Sequence, residues 1–200
     1  YSLEKACMAE PIACGWHAAR LAETASGGFS SDTRALVLGG GAIGVGAALS
    51  LRAFGVEQVT VIETNRLRRD YLVENAGLNV IDAPDLPDNA AFDVVVDGVG
   101  FAKTRETASR AVRPGGVIMH IGLGAAEGGL DIRRITLQEI TFVGTYTYTA
   151  EDFRATAAAM FAGKLGPLDW YETRPLADGN AAFADIRKGS AEAPKTILKP

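Results

Sequence analysis

Cysteine and histidine are scarce in this chain, two of each among 200 residues. Cys7 and Cys14 make no disulfide framework, and their spacing predicts a shared helix face with packed thiols. There is no run of ~20 uncharged apolar residues, so no membrane helix is expected. Neither sign of charge is in large excess: 20 basic and 24 acidic side chains leave a net charge of −4. That balance gives no general attraction to nucleic acid. Residues 1–20 carry Glu4, Lys5 and Glu10 inside the apolar pattern, unlike a secretory leader. With so few cysteines, a reducing cytoplasm is the expected compartment. Internal repeats and low-complexity tracts are absent too. What the chain does have is an apolar fraction of 48%, enough for a sizeable core. It begins at Tyr1, in a stretch already helical in character, and reads as a piece of a longer protein.

Residues 35–63 carry the strongest pattern. The apolar run Ala35-Leu36-Val37-Leu38 meets Gly39-Gly40-Gly41-Ala42-Ile43-Gly44. An apolar helical segment over residues 45–54 follows, then a β-rich run over 58–62 that ends at Glu63. Strand, Gly-rich turn, helix, strand and acid are the parts of a dinucleotide-binding unit. Gly39 suits the tight turn out of the strand, Gly41 a close approach of a pyrophosphate, and Gly44 close packing of helix on strand. The free N–H groups of the first helical turn favour that anion. Glu63 follows Gly44 by about 20 residues, the spacing of the acid that takes the adenosine ribose hydroxyls. A carboxylate there repels a 2′-phosphate and points to NAD over NADP. Arg66, Arg68 and Arg69 stand nearby, and guanidinium groups are able to hold a 2′-phosphate.

The rest of the chain alternates in the same way. A helix is expected over residues 3–23, kinked or divided at Pro11, then a loop over 25–33. After Glu63 come a helix at 66–76, a strand at 78–81 and a proline-marked loop. Strands are expected at 92–97, 117–121 and 140–144, with a turn at 113–116. Helices are expected at 103–111 and from Thr149 to Ala162, and a short helix or turn at 131–138. The strands are continuous apolar runs, as in a parallel sheet covered on both faces. The fold class is therefore α/β, a Rossmann-type doubly wound sheet of six parallel strands. Residues 1–30 read as a helical linker, 31–164 as the NAD-binding domain, and 165–200 as a C-terminal appendage. Within the last, a helix at 180–188 and a strand at 196–198 are expected. His120, inside an apolar strand, reads as a satisfied core histidine, and His17 as packed or cofactor-facing.

Further motifs carry a resemblance: Glu10-Pro11-Ile12 with Trp16-His17-Ala18-Ala19-Arg20, Asp97-Gly98-Val99-Gly100, Arg113-Pro114-Gly115-Gly116, Ile121-Gly122-Leu123, and Thr145-Tyr146-Thr147-Tyr148. With the Gly-rich turn and Glu63, the chain resembles the cofactor-binding half of zinc-type medium-chain alcohol and polyol dehydrogenases. The similarity spans nearly all 200 residues, and Glu10-Pro11 resembles the sorbitol and threonine dehydrogenase branch. The resemblance implies an N-terminal catalytic domain, not present in these residues, that supplies the zinc ligands. Glu10 would lie near that zinc or ligate it. By composition, the chain alone cannot assemble a site of three protein ligands. Gly39, Gly41, Ala42, Ile43 and Gly44 would line the pyrophosphate and Glu63 the ribose. Arg68 would flank the adenine or ribose. Val99, Ile121, Gly122 and Leu123 would bound the adenosine and nicotinamide regions. Tyr146 and Thr147 would sit beside the nicotinamide, where Thr147 departs from the basic residue common in sorbitol dehydrogenases.

The activity implied is oxidation of a secondary alcohol, such as a polyol, with hydride passing to NAD and zinc polarising the substrate oxygen. Two alternatives stay open: a zinc-independent enone or quinone reductase of the same superfamily, and a non-catalytic NAD-binding module that senses redox state. The last strand of the sheet, at 140–148, carries no charge and no proline, the usual guards of an edge. A homodimer joined through that edge is expected, unless residues 165–200 cover it.

Overall fold

The computed structural model describes residues 1–200. Helix α1 (Leu3–Ala6) and helix α2 (Ala9–Ser26) precede strand β1 (Arg34–Leu38). Helix α3 (Ala42–Ala53), strand β2 (Gln58–Ile62), helix α4 (Arg66–Ala76) and strand β3 (Asn79–Ile81) complete the first half. The second half runs through strand β4 (Phe92–Asp97), helix α5 (Ala102–Ala111), strand β5 (Val112–His120), helix α6 (Ile132–Leu137), strand β6 (Thr141–Gly144) and helix α7 (Ala150–Phe161). The six strands lie in the order β3-β2-β1-β4-β5-β6, all parallel. This is the doubly wound Rossmann-type sheet that the alternation predicts.

Side chains alternate across the pleat, so each apolar strand feeds both faces. Ala35, Val37, Val94, Val96, Val117 and Met119 join the core beneath α2 and α3. Leu36, Leu38, Val95 and Ile118 join the core on the α5 face. Helices α2 and α3 cross closely because two glycines meet there. A Cβ on Gly15 would lie 2.3 Å from the Ala47 nitrogen, and one on Gly46 would lie 2.9 Å from the Ile12 Cα. Helix α2 is also fixed to α7 by charge. Asp152, 2% exposed, accepts bonds from Arg20 Nε at 2.6 Å and His17 Nδ1 at 2.7 Å, and from the Thr149 backbone and hydroxyl. Burial alone would raise this carboxyl, but the bonds from Arg20, Thr149 and His17 outweigh it and hold it well below the usual carboxylate range. His17 is thus a packed histidine within an ion-pair network.

The expected boundaries need several corrections. The first helix divides at Cys7 and Met8, ahead of Pro11, which sits in the first turn of α2 where its missing N–H costs nothing. Helix α2 continues to Ser26 and stops at Gly27, whose φ of 78° is left-handed. Cys7 and Cys14 therefore do not share a helix face: Cys7 is exposed and Cys14 buried. The turn expected at 113–116 lies inside the β5 run, at a shift in register between β4 and β5. Past α7, strand β7 (Tyr171–Pro175), helix α8 (Gly179–Lys188) and strand β8 (Lys195–Lys199) form a separate element, with β7 and β8 paired in parallel. Its side-chain bonds to the body run to α4 and α1, through Asn65, Arg68, Tyr71 and Lys5. None of them reaches β6.

Candidate functional site

The parallel register brings Ile62, Leu38, Asp97, His120 and Gly144 into one row at the C-terminal end of the sheet. The residues that follow this row form the loops of the site, where the strand order reverses and crevices open. Gly39 leaves β1 with φ of 98°, a conformation that disfavours side chains. Gly44 packs so tightly that a Cβ would fall 1.8 Å from the Gly39 carbonyl oxygen. At Gly41, by contrast, a Cβ would meet nothing within 4 Å. Gly41 caps α3 without a side-chain bond to the first turn, so the N–H groups there stay open to a ligand.

Glu63 is 8% exposed and bonded to the loop it faces. Its Oε2 accepts from the Gly40 N–H at 2.9 Å and its Oε1 from the Asn65 N–H at 2.8 Å. A carboxylate has about four acceptor sites, so about two remain for the cleft. That cleft is about 600 Å³ and is lined by Gly39, Gly41, Glu63, Arg68 and Val99, with Phe101, Lys103, Thr104 and Thr107 from the start of α5. Of the three nearby arginines, only Arg68 lines it. Its Nη1 lies 3.7 Å from Glu63 Oε2, and its Nη2 donates to the Ala191 carbonyl at 3.1 Å. Arg69 is spent on the Glu63 and Thr64 carbonyls and on Asp82, and Arg66 pairs with Asp70 on the surface.

Asp97 is the organiser that motif spacing did not reveal. Fully buried, it accepts from the Val99 and Gly100 N–H groups and the Thr104 hydroxyl, at 3.0, 2.9 and 2.9 Å. Its carbonyl accepts from Ile121 and Gly122, so one residue shapes the turns after β4 and β5. Its last-in-strand position, followed by Gly-Val-Gly, was the available signal. His120 is not a core histidine. It ends β5 half-buried, with Nδ1 3.2 Å from Asp97 Oδ2 in a geometry that makes no hydrogen bond. Its ring packs on Phe142 and lines a second cleft of about 680 Å³ with Arg105, Gly122 and Leu123.

The remaining expected residues are more scattered. Ala42 and Ile43 open α3 directly after Gly41, but neither lines the first cleft. Ile121 is half-buried against the core. Leu123 and Tyr146 are 87% and 78% exposed. Thr147 has φ of 50°, rare for a β-branched residue and of the kind that clusters at ligand sites. Glu10 is exposed on α2, 3.9 Å from the Cys14 thiol. Burial, and then the Glu10 carboxylate, push Cys14 up to about 11. Burial and the same two neighbours also raise the Tyr148 phenol. No three His, Cys, Asp or Glu side chains stand together to hold a metal, and no helix is long and apolar enough to cross a membrane.

Known proteins share these features. The chain is 30% identical to L-idonate 5-dehydrogenase of Vitis vinifera over 160 residues, 74% of this chain and 42% of that protein. It is 30% identical to sorbitol dehydrogenase of Arabidopsis thaliana over 161 residues, 74% of this chain and 43% of that protein. The chain thus spans less than half the length of these curated relatives. Its fold matches acetophenone reductase from Geotrichum candidum, solved in complex with NAD, with a TM-score of 0.79 at 22% identity, over 92% of this chain and 52% of that one. The family model described as zinc-binding dehydrogenase matches residues 42–162, from the first turn of α3 to the end of α7. That match covers more than half of the chain and takes in the acid after β2 and five of the six strands, so the chain belongs to the zinc-binding dehydrogenase family.

Proposed function

We propose that the chain is the NAD-binding half of an oxidoreductase that moves hydride between a secondary alcohol of the polyol class and NAD, with zinc assistance in the whole protein. The observation that carries this reading is Glu63, held by two backbone N–H groups with its free acceptor sites toward the cleft. The names of the sugar-acid and polyol dehydrogenase relatives support the substrate class. Glu63 takes the adenosine ribose hydroxyls and disfavours a 2′-phosphate. Gly39, Gly41, Ala42, Ile43 and Gly44 present backbone to the pyrophosphate. Val99 floors the cleft and Arg68 flanks the ribose. Ile121, Gly122, Leu123, Tyr146 and Thr147 lie on the nicotinamide side. Bound NAD supplies the hydride acceptor, while the chain orients it. Residues 31–164 do this work, with α2 of the 1–30 segment packed into their core rather than standing off as a linker, and 165–200 would pack on the catalytic half. Glu10 would face the zinc there. These residues do not form a zinc site of their own. Fluorescence titration tests the reading, with NADH expected to bind more tightly than NADPH. Equal or tighter binding of NADPH would overturn it.

The whole protein is further proposed to be a homodimer joined at β6. That strand ends the sheet and carries Thr141, Phe142, Val143 and Gly144, with no charge to guard its edge. Ile132 and Leu137 of the adjacent α6 are exposed apolar side chains. The Thr145 N–H donates to the His120 carbonyl, so by alternation the Val143 N–H turns to β5 and the Gly144 N–H to the free edge. Gly144→Pro would remove one edge donor and should split the dimer while sparing NADH binding. A monomeric mass for the unaltered chain by light scattering, across micromolar concentrations, would end the proposal.

A further inference from the structure

Arg105 is 5% exposed, yet no carboxylate pairs with it. A buried cation without an anion is costly unless every donor is used. Here backbone carbonyls take that place. Nη1 donates to Gly100 at 2.8 Å and Ala125 at 2.9 Å, Nε to Gly128 at 2.6 Å, and Nη2 to Glu127. The first acceptor lies in the loop after β4, and the other three in the loop after β5. These are the two loops that Asp97 begins to shape. The second of them, residues 122–130, is Gly-Leu-Gly-Ala-Ala-Glu-Gly-Gly-Leu. Such a sequence has great backbone freedom and no side chains suited to fix it. Only two backbone bonds, Gly124 to Val99 and Ala125 to Gly100, tie it to the first loop. The guanidinium adds a rigid fork that grips both banks at once.

We propose that Arg105 is a positioning residue that holds the 122–130 loop in the conformation that receives the nicotinamide half of the cofactor. The proposal rests on the NAD-binding reading above. Val99 lines the Glu63 cleft, while Gly122 and Leu123 line the cleft on the far side of the loop. A dinucleotide that starts at Glu63 and crosses the Gly-rich turn runs toward these loops. Adenosine monophosphate meets the first loop at Val99 but stops short of residues 122–130. Arg105 therefore acts on the dinucleotide and not on the mononucleotide. Without it, the loop samples many conformations, and the affinity for the dinucleotide falls with the competent fraction.

The experiment compares NADH and AMP binding to the 200-residue chain, unaltered and as Arg105→Lys. Lysine keeps the charge but has one nitrogen and cannot span four carbonyls on two loops. The expected result is NADH binding about tenfold weaker, with AMP binding changed less than twofold. This corresponds to a loop competent in about a tenth of the molecules. Equal losses for both ligands would mean a general structural role and would overturn the proposal, as would an unchanged NADH to AMP ratio. Failure of the unaltered chain to bind NADH would instead overturn the cofactor reading. A second measurement needs no variant that folds: hydrogen exchange of the unaltered chain. NADH should slow exchange over 122–130 and AMP should not. Equal protection by the two ligands, or none by either, would also refute the assignment.

Discussion

Replacing Glu63 with Gln separates the two things this side chain does. Its oxygens accept from the Gly40 and Asn65 N–H groups at 2.9 and 2.8 Å. Glutamine keeps one acceptor oxygen and turns an NH₂ toward the other backbone donor. One charge-assisted bond is lost, at about 1.5–3 kcal/mol. For a chain of this size, each kcal/mol lowers the melting temperature by about 2–4 °C, so a fall of about 3–12 °C is expected. Binding changes separately. A ribose hydroxyl that loses a charged acceptor costs about 1.5–3 kcal/mol, or roughly 10- to 100-fold in NADH affinity. For NADPH the sign reverses. A 2′-phosphate of charge about −2, at ~5 Å from the carboxylate, is repelled by roughly 1.5–3 kcal/mol at an effective dielectric constant of about 40–80. Arg68, 3.7 Å from the same carboxylate, offsets part of this, so the lower figure applies. Removing the charge then improves NADPH binding by about tenfold. Together the NADH to NADPH affinity ratio should move by roughly 100- to 1,000-fold. Titration of cofactor fluorescence, with thermal melts on the same samples, measures both effects. A variant that melts cooperatively in the expected range and keeps the parent ratio would show that Glu63 does not face the ribose.

Two glycines should behave oppositely. Gly44→Ala drives a Cβ into the Gly39 carbonyl and should cost about 1–3 kcal/mol by thermal melt, whereas Gly41→Ala should leave the melt unchanged and weaken NADH binding by titration. At pH 8 the exposed Cys7 should react quickly with a thiol reagent and Cys14 only after unfolding, because Cys14 is buried with its thiol pushed up to about 11. Peptide mapping of the labelled chain checks the order. Asp152→Asn should cost about 2–3 kcal/mol at pH 7, below the range for a wholly buried pair because Arg20 is partly exposed and regains water. The Asp152 carboxyl is held below its ordinary value, so its contribution is full above about pH 3.9 and fades as pH falls through the folded value. The gap between parent and variant melts should therefore be constant from pH 5 to 8 and shrink toward pH 2. A gap unchanged at pH 2 would refute the assignment.

The sheet was legible because its strands are short apolar runs with glycine at their ends, and buried parallel strands demand that composition. Strand β7 was not. Its sequence, Tyr-Glu-Thr-Arg-Pro, is polar and ends in proline, and it is a strand only because β8 pairs with it. The division between α1 and α2 was misplaced for a local reason. Proline breaks a helix interior but suits a first turn, and sequence alone does not say which turn Pro11 occupies. The close crossing of α2 and α3 was invisible for the opposite reason. Gly15 and Gly46 matter only through each other, 31 positions apart, and no local pattern links them.

At the site, spacing located residues but not their directions. It placed Glu63 and the glycines, since the βαβ unit has a nearly fixed length. It set Arg66, Arg68 and Arg69 together beside Glu63, and only the family resemblance singled out Arg68, although a helix sends consecutive residues to different faces. Only Arg68 turns to the cleft, and part of its charge goes to Glu63 and to the Ala191 carbonyl. The same geometry argues against a 2′-phosphate site at the three arginines. Arg69 is saturated by two carbonyls and Asp82, and Arg66 faces solvent. A phosphate at Glu63 would meet one partly neutralised guanidinium and one buried carboxylate. The buried carboxylate prevails because two backbone N–H groups hold it in place, whereas Arg68 would have to leave its partners to bind a phosphate. The proposed preference for the cofactor without a 2′-phosphate thus rests on which groups are already bonded, a property that no count of charges in the sequence contains.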